Sequence, residues 1–237
     1  MSIELSNSNE LVSRLNSFDA TLNKINFGID IDQTEIATNV SGVSIVNRIY
    51  NTAIKPSDLT YDYAIVDIMK QSIPGLENPR QTAIDIWNSD ENLQIADPMP
   101  GALVVSKHWA DKGITRIHRI TQRPHTAVKQ THSWYKAKMP WVDRSLIHIQ
   151  DNNSEHDELF KAQTIKDLDL VLFIENSVPQ AKLIEKNTRS LVALIPESSN
   201  LSFVRDPFSR ILVVPKEFCP ALPAFVRLYY YLAGLRL

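Results

Sequence analysis

Four short apolar runs, at residues 146–149, 170–174, 191–195 and 211–214, constrain the chain most. Helical stretches at 124–137, 156–166 and 178–186 lie before the first three. Strand and helix alternating in this way predict a parallel sheet with helices on both faces, an α/β fold of Rossmann-like type. The chain of 237 residues is long enough for one large domain or for a core with a modest insertion. Hydrophobic residues make up 43% and charged residues 22%, which is enough apolar surface to fill a core.

Upstream, residues 7–22 place Leu11, Val12, Leu15, Phe18 and Leu22 on one helical face, with Ser8 as a cap. Residues 25–31 form an apolar run ending in acids and read as a buried strand. Helical character dominates 35–93, with candidates at 43–54, 63–71 and 79–87 and breaks at Pro56, Pro74 and Pro79. Residues 102–112 read as a helix closed by Gly113. The stretch 114–121 is the irregular one, because its isoleucines recur every third residue.

Several function classes drop out. The net charge is −2, no apolar stretch approaches the roughly 18 residues of a membrane span, and the N-terminus lacks a signal-peptide pattern. The expectation is a soluble, cytoplasmic protein with nucleic acid an unlikely partner. The single cysteine, Cys219, rules out a disulfide framework and a cysteine-built zinc site, and Pro220 behind it spoils a phosphate-binding cysteine loop. Six glycines fit neither of the common glycine-rich phosphate cradles, so any phosphate must be met by side chains and helix N-termini. The six histidines show no H-x-x-x-H spacing, which argues against zinc.

In an open parallel sheet, ligands gather where strands end on the carboxyl side. The residues there are Asp30, Asp32 and Thr34, then Thr121 to Pro124, then Glu175, Asn176 and Ser177. Acids, hydroxyls and an amide at one rim suit a hard cation and a phosphate. The same acids would also fit an ordinary solvated turn.

Asp30-Ile31-Asp32-Gln33-Thr34 resembles the first motif of the haloacid dehalogenase (HAD) phosphatases. Ile120-Thr121-Gln122-Arg123-Pro124 resembles the second motif of nucleotidase-like members, and Thr131 and Trp134 follow on a helix. Lys161, 14 residues before Glu175-Asn176-Ser177, is similar to the third-motif lysine before the fourth motif. Residues 194–200 occupy the place of a later loop in that branch, which is the 5'(3')-deoxyribonucleotidase-like one.

The resemblance implies a HAD core at 25–34 and 94–237, a helical cap at 35–93 and an N-terminal helical extension at 1–24. It further implies a Mg²⁺-dependent phosphomonoesterase with Asp30 as nucleophile and Asp32 as general acid and base. Thr121, Arg123 and Lys161 would bind the phosphoryl group, and Thr34 would fix the loop. Mg²⁺ would be held by Asp30, the Asp32 carbonyl and the side chains of Glu175 or Asn176. Asn176 stands where an acid is usual, and the polar run Arg116-Ile117-His118-Arg119 is unexpected in a buried strand.

The substrate implied is a small phosphate, a nucleoside monophosphate first of all. Tyr50, Tyr61, Tyr63 and Trp87 would either stack on a base or pack the cap. Alternatives are a phosphatase for another small phosphate or phosphotyrosine, or a weakly active HAD-like binding protein. Nine Lys and Arg between 107 and 144 form either an anion-guiding strip or a solvated face. The apolar stretch 221–235 reads as a domain-closing helix or as an oligomer interface.

Overall fold

The computed structural model describes residues 8–60, 64–150, 157–195, 203, 206, 208–215 and 217–234. Six parallel strands form one sheet in the order β3-β2-β1-β4-β5-β6. They are β1 (Phe27–Asp30), β2 (Ile117–Thr121), β3 (Ile147–Ile149), β4 (Leu172–Glu175), β5 (Leu191–Leu194) and β6 (Ile211–Val213). The expected α/β class holds. The irregular stretch is β2 itself, and its threefold isoleucine spacing sends Ile117 and Ile120 into cores on opposite faces.

One face of the sheet is covered by α1 (Ser8–Leu22), α6 (Ala102–Asp111), α7 (Val128–Lys138) and α10 (Ala224–Gly234). The other is covered by α8 (Phe160–Asp167) and α9 (Val178–Asn187). Strands buried on both sides read as continuous apolar runs, and β1 and β4 are buried at every position. Gly28 marks the tightest approach. A Cβ there would lie 2.8 Å from Leu170, 2.9 Å from Phe173 and 3.1 Å from the His118 carbonyl.

The chain leaves β1 toward β2 and β3 on one side, and returns to lay β4 on the other. That makes β1 the switch point where carboxyl-end loops diverge and leave a crevice. Between β1 and α6 the described residues form four α-helices, α2 (Thr38–Tyr50), α3 (Ala64–Ser72), α4 (Pro79–Trp87) and α5 (Asp90–Ile95). The first three enclose an apolar cluster of their own, built on Val43, Val46, Ile65, Met69 and Ile86. Tyr50 and Trp87 pack against that cluster, and the Trp87 indole N–H donates to Asn39 Oδ1 at 2.9 Å. For these two aromatics the packing role is the one observed; Tyr61 and Tyr63 lie outside the described residues.

The α10 stretch buries Phe225, Leu228, Tyr229 and Leu232 against α1 and α6. That face of α10 is thus covered within the chain. Asp19 on α1 accepts from the Tyr229 hydroxyl at 2.6 Å and sits 2.9 Å from His108 Nε2 on α6. No described helix is long and apolar enough to cross a membrane.

Candidate active site

Strand alternation sorts the rim residues before any side chain is considered. Asp30 shares the parity of Gly28, and Glu175 that of Phe173, so both face the α8 side of the sheet. Lys161 comes from α8, buried, with Nζ 2.6 Å from Asp30 Oδ1 and 2.8 Å from Glu175 Oε2. The other Glu175 oxygen accepts the backbone N–H groups of Asn176 and Ser177 at 3.0 and 3.1 Å. Thr34 is buried and its hydroxyl reaches Asp30 Oδ2 at 3.4 Å, in keeping with a loop-fixing part.

Burial and the neighbouring Glu175 charge push the Asp30 carboxyl well above its ordinary value, against the pull of Lys161. Burial alone would lower the Lys161 ammonium, but the two carboxylates outweigh it and raise it. Lys161 therefore stays charged between them.

On the opposite parity, Ile117, Arg119 and Thr121 face α6 and α7. Arg123, just past the strand, is buried and grips Asp32 with two prongs, Nε to Oδ2 at 2.8 Å and Nη2 to Oδ1 at 2.5 Å. The hydroxyls of Thr121 and Thr38 also donate to Asp32, at 3.1 and 3.0 Å. Burial would raise the Asp32 carboxyl, but Arg123 and these hydrogen bonds hold it below its ordinary value. Arg123 Nη1 is backed by Thr131 Oγ1 of α7 at 3.4 Å.

Six of the seven expected site residues, Asp30, Asp32, Thr121, Arg123, Lys161 and Glu175, thus meet in two adjoining clusters. Asn176 is half-buried beside them. Residues 196–200, expected to add a loop, lie outside the described residues. Of the nine residues of the basic strip, Arg119 and Arg123 are interior, Lys107 pairs with Asp111, and Lys138 pairs with Asp97. Cys219 is a half-buried free thiol.

Three residues were not foreseen. Thr38 ties Asp32 to the start of α2. Glu35, fully buried, receives Arg119 Nε and Nη2 at 3.0 and 3.1 Å and the Tyr135 hydroxyl at 2.6 Å. Burial and the Glu35 charge push the Tyr135 hydroxyl well up, so it stays a donor. The available signal was Arg119 itself, since a guanidinium at a buried strand position demands a carboxylate partner.

The donor chemistry fits a hard cation, within limits. Among the described residues, no three His, Cys, Asp or Glu side chains are grouped to hold one ion. The Asp32 and Glu175 carboxylates are occupied by cations of the protein. The other oxygens at the rim are the Asp30 carboxylate, which also meets Lys161, the Asp32 backbone carbonyl and the Asn176 amide. With Asp30 ionised, three carboxylates against Lys161 and Arg123 leave one net negative charge, which suits a divalent ion.

No family model matches the sequence, and no curated protein is similar to it. Solved structures do match the fold. A candidate phosphatase from Clostridium difficile aligns with TM-score 0.53 at 10% identity, over 79% of this chain and 92% of that one. A haloacid dehalogenase-like family protein from Streptococcus pneumoniae aligns with TM-score 0.52 at 8% identity, over 80% and 93%. A candidate haloacid dehalogenase-like hydrolase from Bacteroides fragilis gives 0.50 at 15% identity, over 80% and 96%. The fold is one that the chain shares with haloacid dehalogenase-like structures. Within that fold, the two clusters here occupy the carboxyl ends of β1, β2 and β4.

Proposed function

We propose that the chain is a Mg²⁺-dependent phosphomonoester hydrolase that works through an aspartyl-phosphate at Asp30. The observation that carries this reading is the buried Lys161 ammonium shared by Asp30 and Glu175 at the end of the central strand. A carboxylate so placed is oriented and charge-compensated, and Lys161 and Thr121 can both reach phosphoryl oxygens around it.

In the first half-reaction an Asp30 oxygen bonds to phosphorus as the ester oxygen leaves with a proton from Asp32. In the second, Asp32 takes a proton from water, whose oxygen attacks the same phosphorus and releases Asp30 and phosphate. Asp32 is held as a carboxylate by Arg123 and Thr121, so proton uptake requires those two donors to turn to the phosphoryl oxygens. Mg²⁺, held by the Asp30 carboxylate, the Asp32 carbonyl and the Asn176 side chain, would neutralise phosphoryl charge.

Nucleoside monophosphates are the proposed substrates on motif resemblance. With Tyr50 and Trp87 engaged in helix packing, stacking by those two rings does not support it. A panel of nucleoside monophosphates, sugar phosphates and phosphotyrosine peptides decides the leaving group. The neutral Asn176 favours the second reading, a weakly active binding protein. Asp30→Asn should remove Mg²⁺-dependent hydrolysis of p-nitrophenyl phosphate by at least about 10³-fold with the fold retained. Near-normal turnover in that variant rejects the mechanism.

A further inference from the structure

The loop after β1 carries two acids three residues apart, and both are held by the same pair of elements. Asp32 is gripped by Arg123 and Thr121 at the end of β2, with Thr131 of α7 behind the guanidinium. One turn deeper the arrangement repeats. Glu35 is gripped by Arg119 of β2, with Tyr135 of α7 donating to the same carboxylate. Arg119 and Thr121 share a strand face, and Thr131 and Tyr135 share a helix face at i,i+4 spacing. The lower rung is fully enclosed: Arg119 also donates to the Ile117 carbonyl at 3.0 Å and stacks 5.6 Å from the Tyr135 ring.

The Glu35 backbone joins this rung to both linkers of the inserted helices. Its N–H donates to the Ile31 carbonyl at 2.9 Å, and its carbonyl accepts from Met99 N–H at 2.9 Å. Ala37 N–H donates to the Asp97 carbonyl at 2.9 Å, so the outgoing and returning linkers lie side by side. A buried ion pair adds little to stability compared with apolar residues of the same volume, but it does fix one geometry. Here it joins the segment bearing Asp30, Asp32 and Thr34 to β2 and α7.

We propose that Glu35, held by Arg119 and Tyr135, is the positioning residue that sets Asp32 and the linkers in register with the phosphate-binding strand. The proposal rests on the phosphohydrolase reading. It predicts that the network can be replaced without loss of fold but not without loss of rate.

Two variants test it. Tyr135→Phe keeps the ring and removes one hydrogen bond. The triple variant Glu35→Leu with Arg119→Met and Tyr135→Phe removes the charges together and leaves no member of the network stranded. Both should unfold within a few degrees of wild type. With p-nitrophenyl phosphate and Mg²⁺, kcat should fall about 5-fold in the first and at least 20-fold in the second, with KM within about 2-fold. Hydrogen exchange at amides 33–37 should quicken in both, while β4 and β5 keep their protection. Folded variants with wild-type kcat, or with wild-type exchange at 33–37, overturn the proposal. If wild type itself hydrolyses nothing, the functional reading fails and the exchange data alone judge the positioning role.

Discussion

Arg123 and Asp32 form a two-pronged ion pair 91 residues apart in sequence, with the guanidinium buried and the carboxylate about one-third exposed. The residue expected to deliver a proton is therefore held, in this state, as its conjugate base.

Arg123→Met tests that relationship through pH. Because the folded Asp32 carboxyl lies below its ordinary value near 3.8, its contribution is complete above that value and is lost as pH falls through the folded value. The variant should be less stable than wild type by about 1–2 kcal/mol at pH 7, a figure reduced for the partial exposure of Asp32. Denaturant titrations at pH 7 and at a pH below 3.8 should show the gap narrowing at the lower one. A gap of equal size at both pH values would mean that Arg123 acts through packing alone.

The fourth-motif pair separates by burial. Glu175 is fully buried, with both oxygens occupied by Lys161 and two backbone N–H groups, while Asn176 sits half-buried at the rim. Asn176→Asp should lower the Mg²⁺ concentration for half-maximal turnover several-fold, since it adds a carboxylate to an oxygen-donor set. Glu175→Gln should cut kcat by about 10²-fold or more with a smaller effect on metal demand, because it weakens the hold on Lys161. Mg²⁺ titrations of all three proteins read both effects.

His118 on β2 and His148 on β3 sit with ring nitrogens 3.0 Å apart and stacked planes. Burial lowers both rings, and at His118 the charges of His148, Arg116 and Arg119 add to it. Groups lowered in this way stabilise the fold fully above their ordinary value of 6.5, and the contribution is lost as pH falls through the folded values. The thermal midpoint of wild type should therefore drop between pH 7 and pH 5. His118→Asn should drop by fewer degrees over the same interval.

Gly42 lies in α2 against the Trp87 ring, and a Cβ there would come within 2.7 Å of the indole. Gly42→Ala should destabilise by about 1–2 kcal/mol, since crowding at a packed ring outweighs the roughly 1 kcal/mol that alanine returns in a helix. Calorimetry should show the loss with β1 to β5 still protected from exchange.

The sheet was legible because buried parallel strands are apolar throughout, as in Leu172-Phe173-Ile174. The rim was legible because ligand-facing residues must follow such runs directly, as Asp30 and Glu175 do. What escaped notice was pairing across long separations. Nothing near Glu35 in sequence announces Arg119, 84 residues on, or Tyr135, 100 residues on. Helix starts were also displaced. α7 begins at Val128 rather than at Pro124, because a turn of 3₁₀ helix at His125–Ala127 intervenes. α2 begins at Thr38, earlier than its apolar periodicity, because Thr38 and Ser41 are buried polar residues that a hydrophobic pattern omits.

Asp19 and Tyr229 meet although 210 positions separate them, and their helices cover the same side of β1. During synthesis the strand that carries Asp30 is made early, yet its apolar flank stays open until α10 has emerged. Phe27, Ile29 and Trp109 must wait for Phe225 and Tyr229 to close over them. A nascent chain halted before α10 would display that flank to chaperones and to other chains.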